Sequence, residues 1–526
     1  MHSRFSTFLC TLRYLRPIQI RYRAYYSLRN FFVLKKRYYP SSAIRGYCLS
    51  FDPFLPAFHS INNYNEFYFL NNQWSFHDRI DWNFNGYGKL WNYNLNYFDF
   101  LLQDNIDTAY AYKLVADYCI MINEIRDGLE PYPVSLRGIN WIKFLSINNI
   151  RDTHIDDCLY YQYICLRNNL EYHLMGNHLI ENGFSLLFAS YYFRSDDFYK
   201  KAKTIITNEL NEQILKDGGH FELSTMYHNI ILYHLLDALN LVKNNSWKDH
   251  ELFDLLKGKA CLMMNWSTTI SWNDGTIPQV NDAANYIAPT TKDLLNYASS
   301  FGIDKCKSRL TDSGYRKFEN EKFEAIMDVG KIGPDYQPGH SHSDALSFEI
   351  RIKGKPIIVD TGTSTYEIGK RRSIERSTFA HNTVEIDDMN QSEVWASHRV
   401  GRRASVTIHN DDSKTCCASH NGYKKLGITH MRTFKFDEYS TFNIEDTLLG
   451  NHSSNKAVAS FHFHPDVNLI ITANKVVVNN DVTIFFENGD NMVACEYLYA
   501  PEFNKLIRAQ CLKVTFHSQL KTRIEF

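Results

Sequence analysis

The sequence lacks the features of several protein classes. No stretch approaches the roughly 18 apolar residues that are needed to cross a bilayer. The chain also has almost no net charge, with 57 Lys and Arg against 58 Asp and Glu, so no overall attraction to nucleic acid is implied. Low-complexity segments and clear internal repeats are missing as well. A membrane-spanning protein, a nucleic-acid-binding protein and a disordered chain are therefore disfavoured.

Cysteine is present, but its spacing argues against the usual cysteine frameworks. The 11 cysteines form an odd set without a CxxC pair, and the only neighbours are Cys416 and Cys417. We therefore expect free thiols and no cysteine-based zinc site. The short apolar stretch near the N-terminus is followed by Arg16, Arg21 and Arg23 rather than by a cleavage site, which makes it a poor secretory signal. The expected location is cytoplasmic, with the periplasm as the alternative.

Aromatic residues are abundant, at 15% of the chain. Tyrosines can stack on sugars, but most aromatic side chains fill cores and interfaces, and we expect mainly packing roles here. The basic and aromatic start of the chain is expected to form an amphipathic helix or a linker that packs on the protein. Association of this segment with a membrane surface is the alternative.

The hydrophobic period divides the chain into two parts. A chain of 526 residues is too long for one ordinary domain and suggests two or three. In the first part, windows long enough for helices are joined by short connections such as 216–219. Short connections favour antiparallel helical hairpins and hence an all-α domain. The predicted helices are 107–125, 156–170, 178–192, 197–214, 227–242 and 250–270.

From about residue 315 the pattern alternates between apolar and polar residues. Alternation over 345–352 predicts a half-buried strand, followed by a turn at 353–356 and a second strand from Ile357. The apolar residues of the first strand are Leu346, Phe348, Ile350 and Ile352. The segments 476–478 and 482–485 repeat the strand–turn–strand pattern. We therefore expect an antiparallel β-sandwich. The predicted division is an extension over 1–80, a helical domain over 81–312 and the sandwich over 313–526.

Two polar clusters fall at predicted helix starts. In the first, Asn177 can cap a helix and Glu181 lies about one turn later on the same face, so a cap and a surface carboxylate are the simpler interpretation. In the second, a glycine turn leads to Ser224, a natural N-cap, and Tyr227 follows three residues later. A lone tyrosine near a helix start is more often a packing residue than a catalytic one.

Histidines and carboxylates come close together near the start of the predicted sandwich. In an extended chain His340, His342 and Asp344 share one face, so two imidazoles and a carboxylate are within reach of a metal or a substrate. Asp360, at the end of the next strand, and His381 add ligand types that suit zinc. Spacing alone does not identify the ligands, and histidine-rich loops without a metal are common.

An arginine-rich segment follows these residues. Guanidinium groups bind carboxylates and sulfates through two hydrogen bonds, so the segment is a candidate receptor for an acidic ligand. The alternative is a solvated loop with ion pairs to Glu375 and Glu393. The arginines are Arg371, Arg372, Arg376, Arg399, Arg402 and Arg403.

Taken in order, these segments resemble the heparinase II/III-like family of polysaccharide lyases. The resemblance implies an N-terminal α/α toroid followed by a C-terminal antiparallel β-sandwich. It also implies cleavage of an acidic polysaccharide next to a uronic acid, by β-elimination and without a hydrolytic water. The resemblance covers nearly all of the chain, and the segments that carry it are 90–100, 132–141, 177–178, 217–228, 274–282, 340–348, 359–362 and 381–383.

The resemblance also implies roles for individual residues. Asn177, assisted by His178, neutralises the uronate carboxylate, so that the neighbouring C5 proton becomes acidic enough to remove. Tyr227 and His340 share the roles of base and acid, with Tyr227 as the acid for the leaving group and, for some substrates, also the base. Further residues expected at the substrate are Glu181, Tyr97, Arg137 and Trp141. The residues that match the ligands of a structural zinc ion are His342, Asp360 and His381.

Two other functions stay open on the sequence alone. One is a non-catalytic carbohydrate-binding protein of the same fold. The other is a zinc-dependent glycan hydrolase, which would need an open metal position and a base near a bound water, although the sequence has no HExxH motif. Because some relatives are encoded among genes for making bacterial cell-surface polysaccharides, a polymer of that kind is an expected substrate.

Overall fold

Helices form the first part of the chain and strands the second in the computed structural model, which describes residues 2–32, 38, 44–62, 64–248, 251–437, 441–450 and 455–526. All six predicted helices are confirmed, although residue 250, the expected start of the last one, lies outside the described residues. The helices are α1 (His2–Leu12), α2 (Pro17–Phe32), α3 (Lys89–Tyr97), α4 (Thr108–Met121), α5 (Pro131–Ile147), α6 (Thr153–Asn168), α7 (Gly176–Phe193), α8 (Asp196–Gln213), α9 (Thr225–Asn244), α10 (Glu251–Ile270) and α11 (Thr291–Ser299).

Helix α7 is the central helix of the first part. It is buried along nearly all of its length and packs against α5, α8 and α9, as expected for a helix that is apolar on all sides. The helix begins at Gly176, and no side chain caps it. The expectation that Asn177 is the N-cap is therefore wrong. By contrast, Ser224 does cap α9, because its Oγ accepts a hydrogen bond of 3.2 Å from the backbone N–H of Tyr227.

Helix α5 carries two of the residues that were expected at the substrate, and both lie in the core. Arg137 is fully buried and donates hydrogen bonds to Gln162 Oε1 (2.8 Å) and to the backbone carbonyls of Asn96 (2.8 Å) and Gly128 (3.1 Å). Trp141 is also fully buried, and its ring centroid lies 5.3 Å from that of Phe98. A polysaccharide in solution cannot reach either side chain, so the structure assigns both to packing.

The second part of the chain consists of antiparallel strands. The pairs β5–β6 and β16–β17 are the two hairpins that the sequence predicts. The strands are β3 (Tyr315–Glu319), β4 (Phe323–Asp328), β5 (Phe348–Ile352), β6 (Lys355–Ile358), β7 (Val384–Ile386), β8 (Val394–Trp395), β9 (Arg399–Val400), β10 (Val406–Asp411), β11 (Thr415–His420), β12 (Ile428–Phe436), β13 (Thr441–Gly450), β14 (Ala457–His462), β15 (Leu469–Ile471), β16 (Lys475–Val478), β17 (Val482–Glu487), β18 (Asn491–Glu502), β19 (Lys505–Phe516) and β20 (Gln519–Glu525). A short hairpin near the start of the chain pairs β1 (Glu66–Phe69) with β2 (Asn72–Ser75), and a short helix, α12 (Lys370–Glu375), follows β6.

Three larger sheets enclose the core of the second part. Their strand orders are β10-β11-β12-β13-β20-β17-β16-β15, β18-β19-β14-β7 and β3-β4-β5-β6. Apolar residues from all three contribute to one continuous cluster, and β13 alternates buried and less buried positions as a strand with one covered face should. The predicted β-sandwich is therefore confirmed.

The first predicted strand begins later than expected. The backbone N–H of Ser347 bonds the carbonyl of Asp344 in a turn, and Leu346 adopts a left-handed φ of 62°. Pairing consequently starts at Phe348. The segment 339–346 is a loop rather than a strand, which changes how His340, His342 and Asp344 are presented.

The N-terminal segment is helical and packs on the protein, as expected. Trp395 Nε1 donates to Thr11 Oγ1 of α1 at 3.1 Å, and Tyr26 Oη of α2 donates to the carbonyl of Leu170 at 2.7 Å. The two helices therefore contact both parts of the chain. Among the described residues, no helix combines the length and the apolar character that a bilayer crossing requires. All eleven cysteines carry free thiols in the structure.

Replacing Arg137 with methionine should destabilise the protein without changing its affinity for a polysaccharide. The substitution leaves a buried amide oxygen and two buried carbonyls without their donor, which costs about 1–3 kcal/mol in the free energy of unfolding. Urea unfolding measures this change. Arg79→Met is the control, because Arg79 forms a surface ion pair with Asp117 that contributes less than about 1 kcal/mol. A loss of affinity at unchanged stability would contradict the packing role.

Candidate active site

The start of α7, the segment before α9 and the loop 339–346 meet around the carboxylate of Glu222. Glu222 is buried; its Oε1 accepts from the backbone N–H of Asn177 at 2.8 Å and its Oε2 from Asn177 Nδ2 at 2.9 Å. Asn177 Nδ2 also lies 3.3 Å from His340 Nε2. Gly176 permits this approach, because it has a φ of 59° and a Cβ there would collide with Glu222 Oε1. Asn177 and His340 are thus brought together, 163 positions apart in the chain.

Tyr227 stacks on His340. The ring centroids are 3.8 Å apart, and the planes are inclined by 27°. The Tyr227 hydroxyl lies 3.3 Å from that of Tyr366. Burial raises the pKa of Tyr227, and the nearby charges of Asp282 and Glu222 raise it further, although Tyr366 and Arg372 oppose them. At neutral pH the phenol is therefore protonated, and it is better suited to give a proton than to take one.

Asp282 determines the orientation of His340. Asp282 Oδ2 accepts from His340 Nδ1 at 3.0 Å and from Arg372 Nη2 at 2.6 Å, while its Oδ1 accepts from His342 Nε2 at 2.8 Å. Burial opposes ionisation of Asp282, but Arg372 and the two imidazoles outweigh it and hold the pKa of this carboxyl well below its ordinary value. Because Asp282 accepts a hydrogen bond from Nδ1–H of His340, the neutral ring carries its proton on Nδ1 and its lone pair on Nε2.

His178, the residue after Asn177, borders the same site. Its side chain is 31% exposed, its Nδ1 lies 3.0 Å from Glu171 Oε1, and its ring lies 4.7 Å from that of Tyr132. Burial lowers the pKa of His178, but Glu171, with smaller contributions from Glu222 and Glu181, more than compensates and raises it above its ordinary value. The protonated imidazolium is thereby favoured.

The other residues expected at the substrate differ in their surroundings. Tyr97 is buried beside Tyr132, with ring centroids 6.0 Å apart, so it backs the aromatic wall next to His178. Glu181 is fully buried, and its Oε1 accepts from His234 Nδ1 at 2.6 Å. Direct contact between Glu181 and a substrate is therefore excluded in this structure. The partly exposed His234 is the group that Glu181 orients.

Two imidazoles and one carboxylate do come together as predicted, but the carboxylate is a different one. His340 and His342 both bond Asp282, whereas Asp344 lines a small cavity with Asp328 and His342. Asp344 does not join this group because the loop 339–346 contains turns, so its alternate residues do not share one face as they would in an extended chain. Asp282 is the last residue of one matching segment. The sequence spacing nevertheless gives no sign that it bonds His340 and His342, which lie 58 and 60 positions later.

Each of the two histidines that were expected to bind zinc is hydrogen-bonded to a carboxylate. His342 bonds Asp282, and His381 Nδ1 bonds Asp360 Oδ2 at 2.6 Å. The other nitrogens, Nδ1 of His342 and Nε2 of His381, are buried without a hydrogen-bond partner, and the two rings lie 5.2 Å apart. Imidazoles that bind metals commonly donate their second N–H to a carboxylate in this way. In this structure Asp360 is thus placed as a partner of His381 rather than as a third ligand.

A second group of possible ligands lies at the catalytic residues. Among the described residues, Asp282, His340 and His398 offer ligand atoms that all lie within 4.8 Å of one another. A metal-binding triad is therefore possible here. Arg372, however, already neutralises Asp282 through both oxygens, and a second cation would meet its positive charge.

The arginine-rich segment divides into buried and exposed members. Arg372 binds Asp282, and the equally buried Arg376 donates to the carbonyls of Ser341 and Ser397. These two fix the loop that carries His340 and are not available to a ligand. Arg371 bonds Glu375 and Arg402 bonds Glu393, as the ion-pair interpretation predicts.

One buried side chain of the N-terminal segment links the two chain segments that lead to Asn177 and to His340. Gln19 Nε2 donates to the carbonyl of Leu174, three residues before Asn177, at 3.2 Å, and to that of Tyr336, four residues before His340, at 3.3 Å. The sequence alone gives no reason to select Gln19, Glu222, Asp282, Tyr366 or His234. Glu222 and Asp282 do lie in segments that match the family, which is the one signal available.

Comparisons with known proteins agree with this geometry. Residues 141–306 match the family model described as heparinase II/III N-terminus, and residues 303–526 match the heparinase II/III-like, C-terminal model. The chain belongs to the heparinase II/III-like family. Residues 1–140 lie outside both matches, so Gln19 belongs to a part of the chain that the family models do not cover, whereas its partners Leu174 and Tyr336 lie within the matches.

Named relatives and solved structures extend the comparison. A heparin-sulfate lyase of Bacteroides stercoris is 25% identical over 355 residues, which cover 61% of this chain and 50% of the relative. A heparin-sulfate lyase of Pedobacter heparinus is 23% identical over 351 residues, covering 60% and 50%. The chain thus spans about half the length of these curated relatives.

The crystal structure of heparinase III has a TM-score of 0.66 at 16% identity, covering 86% of this chain and 80% of the other. The crystal structure of heparan sulfate lyase HepC from Pedobacter heparinus has a TM-score of 0.54 at 15% identity, covering 88% and 81%. These neighbours support the expected toroid-plus-sandwich fold.

Replacing Asp282 with asparagine should destabilise the protein strongly. The change leaves Arg372 as a buried charge without its counter-ion, which costs about 3–5 kcal/mol in the free energy of unfolding. Urea unfolding at neutral pH measures it. Asp274→Asn is the matched control, because Asp274 is 53% exposed and pairs with Arg351 at the surface, where the loss is below about 1 kcal/mol. Equal effects of the two substitutions would contradict the central role of Asp282.

Proposed function

We propose that the protein is a polysaccharide lyase that cleaves a uronic-acid-containing polysaccharide by β-elimination. The observation that carries the proposal is the stack of Tyr227 on His340, with Asn177 hydrogen-bonded at its edge. A proton donor and a lone-pair base in contact, beside a cationic imidazole, are the groups that this reaction needs. The two relatives named as heparin-sulfate lyases support the same reaction class and an acidic substrate.

The first requirement is to make the C5 proton of the uronate acidic. Removing it places negative charge on the neighbouring carboxylate, so fixed positive and hydrogen-bond-donating groups at that carboxylate lower the barrier. His178 is the cationic group, because Glu171 favours its protonated form. Asn177 is the second group: its amide donates one hydrogen to Glu222 and lies 3.3 Å from His340 Nε2, and we propose that the uronate carboxylate replaces His340 as the acceptor of the other hydrogen.

The environments of His340 and Tyr227 separate the base from the acid. We assign His340 Nε2 as the base that takes the C5 proton, because Asp282 keeps the ring proton on Nδ1. The electrons of the C–H bond form the C4–C5 double bond, and the bond from C4 to the glycosidic oxygen breaks. Tyr227 gives its proton to the departing oxygen. The proton on His340 then returns to the stacked Tyr227, which restores both groups.

We also propose a structural zinc ion bound through Nδ1 of His342 and Nε2 of His381, with Asp360 orienting His381 through its other nitrogen. The two buried imidazole nitrogens without partners fit a metal of this kind. When bound, zinc would hold the loop that presents His340 against the strands of the sandwich. His342 and His340 each donate a hydrogen bond to a different oxygen of Asp282. A fixed His342 therefore also helps to fix the orientation of His340, the proposed base. A bacterial surface polysaccharide is the proposed source of the uronate.

Incubation with a panel of uronate polymers tests the reaction class. β-Elimination creates a double bond conjugated with the carboxylate, so near-ultraviolet absorbance should rise as the polymer is cut. Tyr227→Phe should lower the rate by about 10²- to 10⁴-fold while folding and polymer binding persist, because only the transferable proton is lost. Asn177→Ala should instead weaken both binding and rate.

A matched control comes from the far end of α7. Tyr192→Phe also removes one hydroxyl, whose hydrogen bond of 2.7 Å goes to Asp156 away from the site. This variant should lose about 1 kcal/mol of stability and keep its rate. Near wild-type turnover of Tyr227→Phe on the best polymer would refute the assignment. A fall in viscosity without new absorbance would indicate hydrolysis instead.

Metal analysis of the purified protein should find one zinc per chain. His342→Ala should lose the metal and lower the melting temperature, because the ion crosslinks separate segments of the sandwich. His464→Ala is the control, since this histidine faces Asp466 near the surface. Absence of stoichiometric zinc with unchanged melting of His342→Ala would exclude the site. Loss of zinc in His398→Ala alone would place the metal at Asp282, His340 and His398.

A further inference from the structure

One face of helix α2 anchors it to the protein through both apolar and polar contacts, with Ile18 packed on a small core cluster. Gln19 bonds the segments that lead to Asn177 and to His340, and Arg16 forms an ion pair with Glu212 of α8. Tyr22 stacks on Tyr172 with centroids 4.7 Å apart, and Tyr26 bonds the carbonyl of Leu170. These contacts fix the rotation of the helix about its own axis. Its opposite face is therefore presented to solvent in one defined orientation.

That outward face is apolar. Residues 17, 20, 24 and 28 recur at intervals of three or four and so lie on one side of α2; they are Pro17, Ile20, Ala24 and Leu28. Ile20 is 54% exposed and Leu28 is 61% exposed. In α1, Phe8, Leu9 and Leu12 are exposed in the same spacing. A surface helix normally leaves its outer face polar, so these exposed apolar residues indicate a surface that contacts a partner.

The charge of this segment is equally one-sided. Residues 1–51 contain ten Lys and Arg and no Asp or Glu, although the chain as a whole has a net charge of -1. Arg13 and Arg21 are exposed next to the apolar residues. The sequence continues with Lys35, Lys36 and Arg37, which lie outside the described residues. A partner for this surface must accept apolar side chains and carry negative charge.

We propose that the outward faces of α1 and α2 dock the protein on an anionic lipid bilayer, with both helices lying along the membrane surface. Ile, Leu and Phe side chains enter the boundary between headgroups and acyl chains, while arginines remain among the lipid phosphates. An acidic polysaccharide would attract the arginines but leave Ile20 and Leu28 in water. A second copy of this chain would cover the apolar residues but bring the same positive charge. Anionic lipid satisfies both features, and this inference does not depend on the lyase activity.

Sedimentation of the full-length protein with vesicles tests the proposal. The protein should bind vesicles of phosphatidylcholine mixed with phosphatidylglycerol, should bind pure phosphatidylcholine weakly, and should lose affinity as salt rises. Ile20→Glu and Leu28→Glu should each reduce vesicle affinity about tenfold or more, because each places a charge at the apolar contact. Both side chains are exposed, so the variants should retain the wild-type melting temperature.

Ile120→Glu is the matched control. Ile120 is 68% exposed on α4 and receives the same change in charge, so this variant should bind vesicles as the wild type does. The proposal is overturned if the wild type does not sediment with anionic vesicles, or if all three variants bind equally. It is also overturned if the α2 variants lose affinity for a soluble acidic polysaccharide, or lose self-association, while their vesicle binding is unchanged.

Discussion

The buried ion pair between Asp282 and Arg372 is the interaction on which the site depends. Asp282 comes from the connection between α10 and α11, and Arg372 from the sandwich, so the pair joins the two parts of the fold. The free energy that is lost when two charges leave water roughly cancels the attraction between them, so a buried ion pair adds little net stability. The ion pair instead fixes orientation. Arg372 holds both oxygens of Asp282 in place, and these oxygens accept hydrogen bonds that fix the tautomers of His340 and His342.

Glu222 plays a similar part on the helical side. It binds the backbone and the side chain of Asn177 at once, and Asn177 lies at the start of the most deeply buried helix. The two carboxylates thus hold an amide on one side and an imidazole on the other. Their negative charges also raise the pKa of Tyr227 in addition to burial. One set of buried charges therefore fixes the positions of the reactive groups and keeps the phenol protonated.

The sequence predicts the fold well, because helices and strands leave local signals. Hydrophobic period separates helices from strands, and family segments identify Asn177, Tyr227 and His340. The same segments also contain Arg137, Trp141 and Glu181, which are buried. A segment match does not distinguish a residue that lines the cleft from one that packs behind it, because both occur in the same matching segments. Asp282 and Gln19 escape prediction because their partners lie far away in the sequence.

Gln19 connects the surface of the N-terminal segment with the reactive groups inside. The side-chain amide of Gln19 donates to the carbonyls of both Leu174 and Tyr336. Leu174 precedes Asn177 in the chain, and Tyr336 precedes His340. The helix that carries Gln19 also carries the exposed Ile20 on its next position. The inner face of α2 contacts these segments through other side chains as well, since Arg23 donates to the carbonyl of His173 and Arg16, which directly precedes the helix, lies over the ring of Tyr336. Because Gln19 bonds one segment of the helical part and one segment of the sandwich, α2 packs across the junction of the two parts, next to the site.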